Sequence, residues 1–194
     1  MKGMREMKSM KTPWGKTTRT FMAFMLSFMS LMSLQLVATQ APQKETIDGI
    51  RNFTKVDATT GCAGATDPKA LVEVAKRGYK SVLNLREATE TGVALEESKA
   101  AAEAAGLKYI HLPFNVAKAD MAVADAFIKI VTDKANQPVY IHCGSANRVA
   151  ALWLAKRMLV DKWTEERALE EANAIGLTNQ VLKQFALEYV KSRR

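Results

Sequence analysis

The stretch Tyr140-Ile141-His142-Cys143-Gly144-Ser145-Ala146-Asn147-Arg148 constrains this chain more than any other. Pro138 forbids a helix just upstream, and Val139-Tyr140-Ile141 is β-branched or aromatic, so the run predicts a buried strand. From Val149 to Leu159 apolar residues recur at helical spacing, with Lys156 and Arg157 near the end, where cations complement the helix dipole. Cys143 to Arg148 is therefore a strand-to-helix turn. Such a turn gathers free backbone N–H groups and the positive end of a helix around a concavity suited to a tetrahedral oxyanion. The same field favours thiolate over thiol at Cys143, and Arg148 adds a fork for two anion oxygens. A thiolate, a nest of amides from Gly144, Ser145, Ala146 and Asn147, and an arginine are what covalent phosphoryl transfer requires. The plainer reading is a buried structural cysteine followed by a surface arginine.

Further marks accompany this loop: Ile47 to Val56, the turn from Cys62 to Pro68, Val82-Leu83-Asn84-Leu85-Arg86, and Tyr109-Ile110-His111-Leu112-Pro113. With them, residues 47 to 160 resemble the bacterial tyrosine-phosphatase-like family, and in particular the phosphatase-like domain of beta-lactamase-hydrolase-like proteins. The resemblance implies a phosphatase fold, Cys143 as nucleophile, Arg148 as anion clamp and an aspartic general acid in the loop of residues 114 to 119. Asn115 and Val116 stand there, so Asp120 is the nearest acid, either in that role or as a plain helix cap. Two departures bear on turnover. Four residues rather than five separate Cys143 from Arg148, and Val149 stands where a hydroxyl residue would assist the leaving thiolate. The shorter spacing also matches rhodanese-like sulfurtransferases, which carry sulfur as a cysteine persulfide, and a non-catalytic phosphate-binding module is the third alternative.

The first 41 residues stand apart. They hold eight of the ten Met, six Lys or Arg and one acidic residue, which leaves 22 basic against 19 acidic residues in the remainder. The pI of about 9.5 thus belongs mainly to the leader and is no argument for nucleic-acid binding. Its cations precede an apolar stretch from Phe21 to Ala38, with small residues following, which reads as an export signal directing the protein to the periplasm. Pro42 disfavours cleavage directly after Ala41, so Ala38 or Thr39 is the better site. An uncleaved membrane anchor is the alternative, although 18 residues containing four polar ones are short for a span of about 20.

The expected organisation is an export segment over residues 1–41 and one phosphatase-like domain over 42–194. The elements read as strand (50–56), helix (70–77), strand (79–85), helix (93–105), strand (107–112), helix (120–134), the Val139 strand, and three more helices. Residues 43–49 read as a polar linker and 57–66 as a loop. That order predicts an α/β fold with a mostly parallel central sheet and helices on both faces. Arg86, at the carboxyl end of its strand, either faces the anion or lies on the surface. His142 is expected to brace the Cys143 loop from behind. Cys62 is either a small buried hydrophobe or a redox partner for Cys143. Two His and two Cys give no metal-ligand spacing, so neither metal nor cofactor is expected. The expected partner is a phosphorylated protein or small phosphate ester, with membrane contact only through an uncleaved leader.

Overall fold

A computed structural model describes residues 41–194; the segment expected to direct export lies outside the described residues except for Ala41. Six strands build one sheet: β1 (Gln43–Ile47), β2 (Ile50–Asp57), β3 (Thr60–Ala63), β4 (Ser81–Asn84), β5 (Lys108–His111) and β6 (Val139–His142), in the order β1-β2-β3-β6-β4-β5. The β3/β6, β6/β4 and β4/β5 pairs are parallel, whereas β1/β2 and β2/β3 are antiparallel. Three of the five pairings are parallel, so the sheet is mostly parallel, with an antiparallel part at one edge. The antiparallel part is residues 43–63, where a linker, one strand over 50–56 and a loop were expected. Asp48-Gly49 is a two-residue hairpin turn between Ile47 and Ile50, with Gly49 at φ 72, and Asp-Gly is a favoured pair for that geometry. This hairpin puts β1 at the edge.

Every residue of β6 is buried, as a central strand covered on both faces requires. Alternation then sorts the side chains. Cys62, Leu83 and Ile141 face one core, while Ala63, Val82 and Tyr140 face the other. The second core is closed by the turn Pro68–Ala70 and by helices α1 (Leu71–Lys76) and α2 (Leu95–Ala104). The first is closed by α3 (Met121–Thr132), α4 (Asn147–Leu159), α5 (Glu165–Ile175) and α6 (Gln180–Ser192). Helices thus cover both faces. Ten of the thirteen residues of α4 are buried, because the sheet, α5 and α6 surround it. Burying side chains such as Leu152 or Ile141 contributes about 2 kcal/mol each, so the helix that begins the anion loop is also the centre of the core. Among the described residues no helix is long and apolar enough to cross a membrane.

Candidate active site

Strand β6 delivers Cys143 to the carboxyl edge of the sheet, where its amide donates to the Ala63 carbonyl at 3.2 Å. The loop that follows is gripped from two sides. On the hairpin side, Ala65 N donates to Gly144 O at 3.0 Å and Asn52 Nδ2 to Ser145 O at 3.2 Å. On the helical side, Asn147 Oδ1 accepts from the amides of Thr178 and Asn179 at 2.7 and 2.8 Å, tying the loop to the start of α6. Ala146 turns the chain into α4 with φ 78, a left-handed conformation that a non-glycine residue adopts at a cost of about 1 kcal/mol. The first-turn amides of α4 have no helical acceptor and face the loop.

Arg148, the second residue of α4, reaches the loop of residues 85–94. Its Nη1 donates to Glu90 Oε1 at 2.6 Å and Nη2 to Glu90 Oε2 at 2.9 Å, while Nη1 also reaches the carbonyls of Leu85 and Phe114, both at 3.1 Å. Burial works against the guanidinium charge. The hydrogen bonds to Glu90 and the neighbouring Cys143 outweigh it and hold the charge more firmly than usual. Burial likewise opposes the Glu90 carboxylate, yet bonds from Arg148, the Glu87 amide and Arg86 bring its pKa down to about 2. The pair lies against Gly144, where an added Cβ would stand 3.5 Å from Arg148 Nη2 and 3.8 Å from Glu90 Oε2. Cys143 itself is fully buried.

Arg86 binds within its own loop, donating to Glu90 and to the carbonyls of Thr91 and Gly92. His142 is buried and stacks on Tyr140, its Nδ1 without a hydrogen-bond partner among the described residues. Burial first, then the charges of Arg86, Arg148 and His111, push its pKa down to about 3, so the ring is neutral. Asp120 is exposed and accepts from the Ala122 amide at 2.8 Å as the cap of α3. Cys62 is fully buried and unbonded, and burial with the nearby Glu171 and Asp57 carboxylates raises its thiol pKa well above the ordinary value. It pairs in register with Ile141, which leaves Cys143 two residues farther along and about 8 Å away between Cα atoms.

The outer part of the site is an open cleft of about 490 Å³, lined among others by Glu87, Glu90, Asn115, Ser145, Asn147 and Arg148. Glu87 and Glu90 escaped the sequence reading. The signal was their position just after Arg86 at the carboxyl end of β4, where parallel α/β sheets place ligands. Among the described residues no group of three His, Cys, Asp or Glu is placed to hold a metal ion.

A cysteine ending the central parallel strand, with an arginine in the first helical turn beyond it, places the domain in the phosphatase-like α/β class. The chain belongs to the family described as beta-lactamase hydrolase-like protein, phosphatase-like domain, which matches residues 52–159. Among solved structures it is similar to TpbA of P. aeruginosa, with a TM-score of 0.61 at 18% identity over 79% of this chain and 91% of that one. It is similar too to the core catalytic domain of the PP-IP phosphatase SIW14 from S. cerevisiae, with a TM-score of 0.61 at 19% identity over 74% of this chain and 88% of that one. A third likeness is to Tk-PTP in its active form, with a TM-score of 0.62 at 19% identity over 77% of this chain and all of that one. At such identities these likenesses carry the fold alone. No curated protein matches the chain.

Proposed function

We propose that the protein hydrolyses phosphate monoesters through a phosphocysteine, with Cys143 as nucleophile. The observation that carries this reading is the placement of Cys143 directly after β6 and of Arg148 in the first turn of α4, with only four residues between them. In the proposed reaction the Cys143 thiolate attacks phosphorus while Arg148 and the amides of Gly144 to Arg148 hold the equatorial oxygens. Glu90 yields Arg148 to the incoming dianion. Water then resolves the intermediate and releases the thiolate. TpbA has been solved with phosphotyrosine, which supports a phosphorylated protein as substrate, with a small phosphate ester as the alternative. The basic, apolar leader supports action outside the cytoplasm, after export or from a membrane anchor.

The test is hydrolysis of p-nitrophenyl phosphate by the purified full chain, with Cys143→Ser expected to lower turnover at least a thousandfold. Wild-type turnover retained in that variant would refute the assignment. Thiocyanate release from thiosulfate and cyanide, with no phosphate release, would establish sulfur transfer instead, and phosphate binding without either reaction would establish a binding module.

A further inference from the structure

A phosphocysteine route needs a group to protonate the departing alkoxide, and the loop of residues 114 to 119 holds no acid. Asn115 occupies that loop with a fixed orientation. Its Oδ1 accepts from the amides of Ala117 and Lys118 at 2.8 and 3.0 Å, which turns its NH2 group the other way. That group donates to Glu87 Oε1 at 2.8 Å. Glu87 lines the same cleft as Ser145 and Arg148, and among the described residues its second carboxylate oxygen has no hydrogen-bond partner. The other acids nearby are occupied. Glu90 is held by two arginines and an amide and keeps its charge down to a pH of about 2. Asp120 caps α3 and is absent from the cleft lining.

The geometry points to Glu87 as the acid and base of the reaction, presented to the leaving group by Asn115. This inference rests on the phosphatase reading of the site. As Sγ of Cys143 attacks, the bond between phosphorus and the ester oxygen breaks and its electron pair stays on that oxygen. The carboxylic acid of Glu87 supplies the proton, so an alcohol departs and a carboxylate remains. In the second half the carboxylate takes a proton from water as that water's oxygen attacks phosphorus. The P–S bond breaks, and its electrons return to the thiolate. No oxidant or reductant is involved. The acid thus arrives from the β4–α2 loop, with an amide in the place where the resemblance implies an aspartate.

Leaving-group dependence isolates this role, because an ester whose oxygen leaves as a stable anion needs little protonation. The full chain, Glu87→Gln and Asn115→Ala are compared on p-nitrophenyl phosphate and on phenyl phosphate, whose leaving group is the more basic. Glu87→Gln should lose about 100-fold in kcat on phenyl phosphate and less than about tenfold on the activated ester. Asn115→Ala should lose less, in the same direction. Equal losses on both esters for folded variants would overturn the role of Glu87 while leaving the phosphatase reading intact. So would the same leaving-group dependence in Asp120→Asn rather than in Glu87→Gln. A wild-type chain inactive on both esters would remove the phosphatase reading and this assignment with it.

Discussion

Arg148 gives both terminal nitrogens to the carboxylate of Glu90, at 2.6 and 2.9 Å, so the arginine proposed to clamp a phosphate already holds an anion of the chain itself. A planar two-point pair of this kind is the geometry a phosphate would offer. Binding is therefore an exchange of one anion for another. Arg148 does not depend on Glu90 alone for its aim, because the carbonyls of Leu85 and Phe114 also hold Nη1. Glu90→Gln should consequently lower the inhibition constant of inorganic phosphate several-fold and lower KM for aryl phosphates in step. Steady-state kinetics measures both. An unchanged or weakened phosphate affinity would show that Glu90 positions the arginine rather than competing for it.

The same pair sets an acid limb of stability. The Glu90 pKa falls from an ordinary 4.5 to about 2 on folding. A lowered carboxyl pKa stabilises the fold fully above the unfolded value, and that contribution fades as pH falls through the folded value. It amounts to about 2 kcal/mol, after allowing for the quarter of the side chain that water reaches. Urea unfolding at pH 7 and pH 3 should therefore show a smaller pH-dependent loss in Glu90→Gln than in the parent chain. An identical loss in both would place the acid sensitivity in other carboxylates.

The elements that carry the candidate site were legible in the sequence, and what was missed has physical causes. The Val139 strand, the small-residue turn and the apolar helix after it announced themselves by period and composition, because β6 and α4 are buried on all sides. The strand β1 is mostly exposed and polar, so its pairing lies in backbone bonds that leave no hydrophobic pattern. Strand β3 is Thr-Gly-Cys-Ala, with no bulky residue to mark it. Its glycine is needed because a side chain at Gly61 would run into the Tyr79 ring. The placement of Glu87 against Asn115 and of Glu90 against Arg148 depends on the course of an irregular loop, which no periodicity encodes.

Behind the site, Arg157 ties the core together. It donates to Glu171 through Nε and Nη2 at 2.6 and 3.0 Å, and to Asp57 and Asp161, while its guanidinium lies between the Trp153 and Trp163 rings. Glu171 also accepts from Trp153 Nε1 at 2.8 Å, and both members of the pair are nearly fully buried. Removing Glu171 leaves Arg157 to Asp57 and Asp161 alone and strips buried Arg157 Nε and Trp153 Nε1 of their acceptor, a loss of about 3 kcal/mol. Glu171→Ala should show it in urea unfolding, whereas Arg77→Ala, which breaks a more exposed pair with Glu45, should cost less than about 1 kcal/mol. Comparable losses in the two would refute a special weight for the buried pair.

Gly64, the residue after β3, sits between Arg51 of β2 and the anion loop. A Cβ there would stand 3.1 Å from the Arg51 carbonyl oxygen and 3.3 Å from both Gly144 O and Ser145 C, all backbone atoms that have no rotamer to escape into. Those atoms are themselves fixed, since Gly64 N donates to Arg51 O at 2.7 Å and Ala65 N to Gly144 O at 3.0 Å. One methyl group must then push the loop away from β3. Overpacking of this kind costs about 1–3 kcal/mol, and a shift near 1 Å in a positioned nucleophile can lower turnover about a hundredfold. Gly64→Ala should therefore lose activity in a protein that still folds, with kcat on p-nitrophenyl phosphate falling more steeply than the modest drop in Tm suggests. Gly78→Ala is the control, because its Cβ would meet nothing within 4 Å and only its φ of 86 opposes the change. That variant should lose stability without losing kcat. Equal kcat in the two variants would show that contact with the hairpin does not set the position of the Cys143 loop.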